Sequence, residues 1–217
     1  MTARVRLPIL LCSLLTAVPV AAAEFVVGAH GGYGAYTQED LNRNILALNE
    51  AARATLADEI KSGAEWGGHL GLRINETTIL GVAYNRLEAA AAGGAGGSFL
   101  DLEVPADCWL AFVNWLPDSD QVGRLGLGAD AGFVTVDGSA ASQVAGNPVE
   151  TRTYAGDGLF LAVYVVGDAI LTGGLSLLAH GGFRLAQLPD ITVNGAASGF
   201  DLDYSGVFVR VGLRFAP

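Results

Sequence analysis

The chain has 217 residues, enough for one domain, and a formal net charge of −10, which argues against a nucleic-acid partner. Hydrophobic residues make up 51% of it and the mean hydropathy is +0.41, high values for a soluble protein that contains 30 glycines. After residue 23 no apolar run reaches about 18 residues, the length that a membrane helix needs. Apolar residues spread over alternating positions would reconcile these observations.

Residues 1–23 have the three parts of a secretory signal peptide. Arg4 and Arg6 supply the positive start, a short apolar stretch follows, and three alanines precede Glu24. We expect cleavage before Glu24, which leaves 194 residues with a net charge of −12. Cys108 is then the one remaining cysteine, so the mature chain has no intramolecular disulfide.

Eight segments have the composition of strands and the roughly 9–11 residues that a tilted strand needs to cross a bilayer. They are 25–36, 64–74, 77–88, 98–115, 122–135, 157–166, 170–185 and 200–215. Turn residues at 75–76, 117–120 and 167–168 predict short connections, and the longer links are 37–63, 89–97, 136–156 and 186–199. Short periplasmic turns and long outer loops are typical of outer-membrane barrels.

The last segment shows most clearly which face meets the membrane. One face is an apolar row of Val207, Val209, Val211, Leu213 and Phe215. The opposite face carries Gly206, Phe208, Arg210, Gly212 and Arg214. Successive strand residues point to opposite faces, and an outer-membrane barrel turns its apolar face outward, whereas a soluble barrel turns it inward. The sequence therefore predicts an all-β, eight-stranded antiparallel up-and-down transmembrane β-barrel.

Aromatic residues on the predicted lipid face fall near the strand ends. We place Tyr33, Trp66, Tyr84, Phe133 and Phe183 at the outer rim and Phe25, Trp115 and Phe215 at the periplasmic rim. Two such girdles are expected where amphipathic rings meet lipid headgroups.

Residues 24–217 resemble the small eight-stranded outer-membrane barrels of the OmpA, OmpX and OmpW type. The resemblance rests on the signal peptide, the strand count, the unequal connections and the near-terminal Phe215. It implies a Gram-negative-type outer membrane reached through the periplasm, insertion by the outer-membrane assembly machinery, and a lipopolysaccharide-type outer leaflet as neighbour. Those barrels usually end on the aromatic itself, whereas Ala216 and Pro217 follow here. We expect a monomer.

The 37–63 link carries a predicted helix at about 38–62. Thr37 suits its N-cap, and acidic residues follow in the first turn. One stripe of the helix is apolar, at Leu41, Ile45, Leu48, Ala52, Leu56 and Ile60. Such a stripe must pack against something, so the helix is a lid on the rim, a plug in the lumen or a surface that binds a partner.

The lumen candidates are eight inward-facing residues: His30, His69, Arg73, Arg124, Asp130, His180, Phe208 and Arg210. Many glycines share this face, which leaves either a cavity for a small ligand or space that long side chains fill. We interpret the charges as an ion-pair network, with Asp101, Glu103, Asp201 and Asp203 at its outer end. The histidines lack a carboxylate or cysteine at ligand spacing, so we assign no metal, cofactor or catalytic residue.

The first hypothesis is a non-enzymatic barrel with a structural or surface-interaction role. The alternative is a passive conduit or carrier for a small apolar solute, through a glycine-lined lumen gated by the helix. The predicted orientation of the two strand faces has consequences for stability. Val209→Arg or Leu127→Arg should destabilise the barrel strongly, and Gly128→Ser should cost much less.

Overall fold

The structure is a computed structural model and describes residues 23–36, 38–117 and 123–217. The predicted signal peptide therefore lies outside the described residues apart from Ala23, as do the predicted N-cap Thr37 and most of the predicted turn at 117–120. The elements are β1 Glu24–Ala35, α1 Glu39–Ala52, β2 Ser62–Arg73, β3 Thr78–Leu87, β4 Ala90–Ala95, β5 Ser98–Glu103, β6 Ala106–Trp115, β7 Gly123–Gln143, β8 Glu150–Thr172, β9 Leu175–Val193, β10 Ala196–Asp203 and β11 Gly206–Phe215.

Eight of the strands form a closed antiparallel ring in the order β1, β2, β3, β6, β7, β8, β9 and β11. The last strand pairs with the first from Val27↔Phe215 to Gly34↔Phe208, which closes the barrel. The predicted eight-stranded up-and-down barrel is confirmed. No described helix is long and apolar enough to cross a membrane.

The alternation of the strands has the predicted orientation. Val207, Val209 and Val211 are more than half exposed, while Phe208 and Arg210 are almost fully buried. An apolar surface of this kind belongs in hydrocarbon, and the closed ring satisfies its own backbone hydrogen bonds there.

The aromatic girdles also lie on this outer surface. Large exposed rings stand at the predicted positions of both rims: Tyr33, Trp66, Phe133 and Phe183 at one, and Phe25, Trp115 and Phe215 at the other. Tyr84 is half-buried between Trp66 and Trp109. Trp109, at 63% exposure the most accessible of these rings, belongs to the outer girdle and is missing from the sequence prediction.

Two predicted long links are strand rather than loop. β7 continues to Gln143 and β8 already begins at Glu150, so 136–156 shrinks to a short connection. β9 likewise runs on to Val193, into the predicted link 186–199.

The predicted turn at 167–168 is wrong, because β8 continues to Thr172. The connection is the pair Gly173–Gly174, with φ values of 54° and 82°. Two consecutive positive φ angles are what a two-residue hairpin turn requires, and glycine adopts them without strain. Asp168 consequently lies inside the barrel, buried, instead of in a turn.

Two other predicted strands are each interrupted once. The segment 98–115 divides into β5 and β6 around Val104 and Pro105, yet both parts keep the same register along β7. The segment 200–215 divides in the same way into β10 and β11 along β9. The link 89–97 holds a further strand, β4, that pairs with β5.

The strand extensions, β4, β5, β10 and α1 form a second structure above the barrel. We call it the head; it comprises residues 38–61, 88–107, 135–157 and 186–205. The head has an apolar core, to which Leu41, Ile45, Leu102, Val136 and Ile191 contribute. It carries fifteen Asp or Glu and four Arg or Lys, so it is strongly acidic.

The helix is shorter than predicted, because α1 ends at Ala52 and Arg53 adopts the left-handed conformation at φ 53°. Two asparagines of α1 then bind the extended segment that follows. Asn42 Oδ1 accepts from the N–H of Ile60, and Asn49 Oδ1 accepts from the N–H of Leu56. Leu56 and Ile60 are buried as the helical pattern indicated. They reach the head core from an extended chain held by side chains, a conformation that has no helical period.

Candidate functional site

The barrel interior is filled with side chains and leaves almost no free space. Ten residues enclose a central cavity of about 10 Å³: His30, His69, Ala83, Asn85, Phe112, Asn114, Asp130, Tyr164, His180 and Arg210. That volume holds about one water molecule. The lumen is therefore packed, as one of the two sequence-based alternatives expected, and the space for a small ligand is absent among these residues.

Glycines provide the room into which large side chains reach. A Cβ atom on Gly28 would lie 2.3 Å from Cε1 of His69, and one on Gly128 would lie 2.1 Å from Cε2 of Tyr164. Such distances are far inside van der Waals contact, so a larger residue at either position requires the neighbouring ring to move. That Gly128→Ser costs much less than arginine on the lipid face stays a prediction, but the ring of Tyr164 occupies the space that looks empty in the sequence.

An ion cluster spans the interior below the outer mouth. Glu65 receives two arginines: Nη1 of Arg184 lies 2.7 Å from Oε1, and Nε of Arg210 lies 2.9 Å from Oε2. All three side chains are at most 1% exposed. The guanidinium of Arg210 also stacks over the ring of Phe208 at 4.2 Å. A buried carboxylate held by two charge-assisted bonds fixes three strands relative to one another.

Arg210 connects this cluster to a second carboxylate at mid-barrel. Its Nη1 lies 3.8 Å from Oδ2 of Asp130, whose Oδ1 accepts a hydrogen bond of 2.7 Å from the hydroxyl of Tyr164. The carboxamide of Asn85 completes the layer when its nitrogen donates to Nε2 of His30 and its oxygen accepts from Arg210. These contacts make a structural polar layer.

The three histidines meet in this layer. The ring centroid of His30 lies 6.3 Å from that of His69 and 6.1 Å from that of His180. Within the described residues, no group of three or more His, Cys, Asp or Glu is arranged to hold a metal ion. A serine bonded to a histidine can form a catalytic pair, and Ser176 lies on the same face of β9 as His180. Ser176 pairs across the sheet with Arg214, however, and no described hydrogen bond joins it to His180.

A third cluster closes the periplasmic end. Arg124 Nη2 lies 2.8 Å from Oδ2 of Asp168, and Arg214 contacts the same oxygen. Arg73 pairs with Glu24 beside them, and both are partly exposed at the mouth. The predicted lumen arginines Arg73 and Arg124 are thus inward-facing but lie at the barrel end.

The structure supports the interpretation of the interior charges as ion pairs, but several of the predicted carboxylates are not members. Asp101, Glu103 and Asp201 are exposed on the outside of the head, and Asp203 is half-buried there and accepts from the N–H of Ser205, so these four carboxylates form no part of the lumen network. The carboxylates that do pair inside are Glu65, Asp130 and Asp168. Strand parity could have found Glu65, because it shares a face with Gly67, His69 and Arg73.

Tyrosines and the head core cover the outer mouth. Arg184 Nε donates to the carbonyl of Tyr204 at 2.8 Å, and the hydroxyl of Tyr204 donates to the carbonyl of Val104 across the mouth. Tyr36 packs edge-on against Tyr204 with ring centroids 5.3 Å apart. Burial raises the pKa of both phenols, which are protonated and able to donate at neutral pH even without that shift. The helix lies above this seal, so it is a lid and does not descend into the lumen.

The head has two free sheet edges of different character. At the β10 edge the register shifts twice, Ser198 and Asp201 bond back to the chain, and Asp40 of α1 accepts from the N–H of Asp201 at 2.9 Å. The β4 edge, Ala90–Ala95, is exposed and has no charge or proline, and the backbone carbonyl of Leu56, in the extended segment after α1, lies against Gly93. Its backbone pairs with β5 on one side, and no described backbone hydrogen bond joins its other side. An exposed strand edge whose backbone groups are not hydrogen-bonded is a template for strand addition.

Comparison with known proteins finds structural likeness and little sequence likeness. No family model matches the chain, and no curated protein matches it in sequence. A major outer membrane protein from Thermus thermophilus superposes with a TM-score of 0.57 at 12% identity, over 90% of this chain and 100% of that one. Neisserial surface protein A (14% identity, 89% and 98% covered, TM-score 0.49) and Ail, the attachment invasion locus protein of Yersinia pestis (11%, 89% and 98%, 0.44), are also similar.

The chain therefore has the fold of the small outer-membrane β-barrels, as the sequence predicts. Fold and surface agree, because the closed ring carries an apolar belt between two aromatic girdles. An apolar belt between aromatic girdles is suited to a lipid bilayer, and closed barrels with such belts are typical of outer membranes.

Proposed function

We propose that the protein is a non-enzymatic surface-interaction barrel whose head binds an extended, basic polypeptide by strand addition at β4. The single observation that carries the proposal is the exposed, uncharged edge strand Ala90–Ala95, at the other end of the sheet from the protected edge at β10. Backbone hydrogen bonds to the edge would give affinity, and side chains at alternate positions would give specificity. The signal-peptide cleavage before Glu24, the assembly machinery, the lipopolysaccharide contact and the monomeric state remain predictions that accompany it.

Charge favours a basic partner over a second copy of the chain. The strand β5, next to β4, exposes Asp101 and Glu103, and the head as a whole carries a large excess of acidic residues. Two heads would repel each other, whereas lysine or arginine side chains on an added strand would meet opposite charge across the sheet.

A conduit role has less support. The interior is filled from the periplasmic arginines to the tyrosine seal, and its central cavity of about 10 Å³ is lined mainly by charged and polar groups, with Ala83 and Phe112 as the apolar exceptions. A small apolar solute has neither space nor a suitable surface there.

The test uses the full-length protein in detergent micelles and two fluorescent hexapeptides, one alternating lysine with valine and one alternating glutamate with valine. We expect the basic peptide to bind and the acidic peptide not to bind. Ala92→Lys should weaken binding about fivefold or more, because a lysine on an edge repels a basic strand. The matched control is Ala197→Lys on the exposed part of β10, which should leave the affinity unchanged. Equal binding of both peptides, or equal effects of the two substitutions, would contradict the proposal.

A further inference from the structure

The periplasmic end of the lumen has more positive charge and more hydrogen-bond donors than its own residues use. Three arginines converge there from different strands: Arg73 ends β2, Arg124 begins β7, and Arg214 lies in β11. Arg73 and Arg124 both lie within electrostatic range of Arg214. The carboxylates that the described residues place against them are Glu24 and Asp168. The described cluster therefore carries one uncompensated positive charge.

The donors of these arginines are correspondingly in excess. Nε of Arg73, Arg124 and Arg214, and Nη1 of Arg214, are buried nitrogens without a hydrogen-bond partner, while one buried oxygen, Oδ1 of Asp168, lacks a donor. Arg214 is 1% exposed. A guanidinium in a place of low dielectric is costly unless its charge and its N–H groups are met by acceptors.

The outer residues of the cluster are partly accessible from the periplasm. Arg73 and Glu24 are 23% and 32% exposed, whereas Arg214 behind them is buried. A small anion can therefore approach from the periplasm, between an accessible arginine and an inner one.

We propose that this cluster, Arg73, Arg124 and Arg214, binds a small carboxylate anion from the periplasm. One negative charge neutralises the cluster, and the free N–H groups of the three arginines can donate charge-assisted hydrogen bonds to a carboxylate. Asp168 orients Arg124 and Arg214 from the inner side, and Glu24 holds Arg73 at the entrance. The site is independent of the head and of the strand addition proposed there.

The experiment measures the unfolding temperature of the full-length protein in detergent micelles while sodium acetate replaces sodium fluoride at constant ionic strength. We expect acetate to raise the unfolding temperature in a saturable way. Arg73→Gln should weaken the apparent acetate affinity about tenfold, because it removes a charge-assisted hydrogen bond. Glu24→Gln should strengthen the apparent acetate affinity. It removes the carboxylate that pairs with Arg73 and so raises the net positive charge of the cluster by one. The control is Arg152→Gln, an exposed arginine of the head, which should change nothing.

Three outcomes would overturn the proposal. One is the absence of a saturable acetate effect. Another is an equal loss in the Arg73→Gln and Arg152→Gln proteins, which would indicate general screening. The third concerns the connection between β6 and β7, whose Asp118 and Asp120 lie outside the described residues. If acetate stabilises only the Asp118→Asn, Asp120→Asn double variant, the chain's own turn occupies the site. The opposite shifts of Glu24→Gln and Arg73→Gln separate anion binding from a loss of folding.

Discussion

The lower and upper halves of the same strands are built with opposite polarity. In β7 the outward face runs Leu125, Leu127, Ala129, Ala131 and Phe133 through the membrane and continues as Thr135, Asp137 and Ser139 in the head. The inward face runs Gly126, Gly128 and Asp130 and continues as Val134, Val136 and Ala140. The backbone pairing does not change at this point, because β7 pairs with β8 in one register from Gly123 to Ser142. The environment outside the barrel changes, from hydrocarbon to water, and both faces reverse.

This reversal explains why the sequence predicts some strands to be shorter than they are in the structure. A strand is recognised by apolar side chains at every second position, and the position of that row shifts by one at the membrane boundary. The sequence therefore predicts an end of β7 at 135, where its apolar row changes face, although its hydrogen bonds continue to Gln143. The comparison of the two halves shows that a strand can continue through a change in its apolar alternation where its surroundings change from lipid to water.

The largest expected effect comes from Glu65, which lies where the inside changes from polar to apolar. Glu65→Gln removes the charge that Arg184 and Arg210 share and leaves two buried guanidinium groups uncompensated. Breaking a buried ion pair in this way costs about 3–5 kcal/mol. The measurement is the free energy of unfolding in urea for protein folded into lipid vesicles.

Glu103→Gln is the control for Glu65→Gln, since Glu103 is an exposed carboxylate of the head. It should change the free energy of unfolding by less than about 0.5 kcal/mol. Equal effects of the two substitutions would mean that the interior is wet and that the cluster contributes little.

How much of this interior the sequence could predict depends on the kind of information needed. Parity assigns His30, His69, Asp130 and Arg210 to the inside, because alternation is a local property of a strand. Partner choice is not local. Glu65 and Arg210 are 145 positions apart and meet only once eight strands close into a ring. Asp168 is missed for another reason: Gly167–Asp168 has turn-forming residues, and only the length of β8 rules the turn out.

The next effect tests the reversal directly on one face of one strand. Leu127→Arg places a charge in the apolar belt and should destabilise the protein, towards the lower end of the about 2–4 kcal/mol expected at the midplane because Leu127 pairs with Trp115 of the periplasmic girdle. Thr135 lies on the same outward face of β7, four outward-facing positions further from the periplasm. Thr135→Arg should be nearly neutral because the arginine meets water and headgroups. Folding efficiency into vesicles and unfolding in urea measure both.

Val209→Arg on β11 should repeat the result of Leu127→Arg, since Val209 is 62% exposed in the belt. A tolerated arginine at 127 or 209, with a damaging one at 135, would reverse the assignment of membrane and head.

A smaller effect distinguishes the filled inside from the outside of the membrane half. Gly128→Ala should clash with the ring of Tyr164 and cost about 1–3 kcal/mol. Gly181→Ala is the matched change on the lipid face, where the nearest atom to the added methyl is a backbone oxygen at 4.0 Å. It should be neutral or slightly stabilising. If both alanines are tolerated, Tyr164 can move aside and the lumen is looser than its 10 Å³ cavity indicates.

The smallest effect on the barrel is expected from the largest deletion. Replacing residues 39–60 with a short Gly/Ser linker removes α1, the segment held by Asn42 and Asn49, and four apolar residues of the head core, namely Leu41, Ile45, Leu56 and Ile60. It removes no strand of the ring. The membrane half satisfies its backbone hydrogen bonds between neighbouring strands, so the deletion protein should still insert and still migrate faster on gels unheated than boiled.

The head should lose order, because its apolar inner face is then exposed to water and β10 loses its bond to Asp40. Limited proteolysis should accordingly cleave between 144 and 149 and near 196–203 in the deletion protein, and spare the same sites in the intact one. Failure of the deletion protein to insert would show that the two halves fold as one unit, with the head core needed to close the ring.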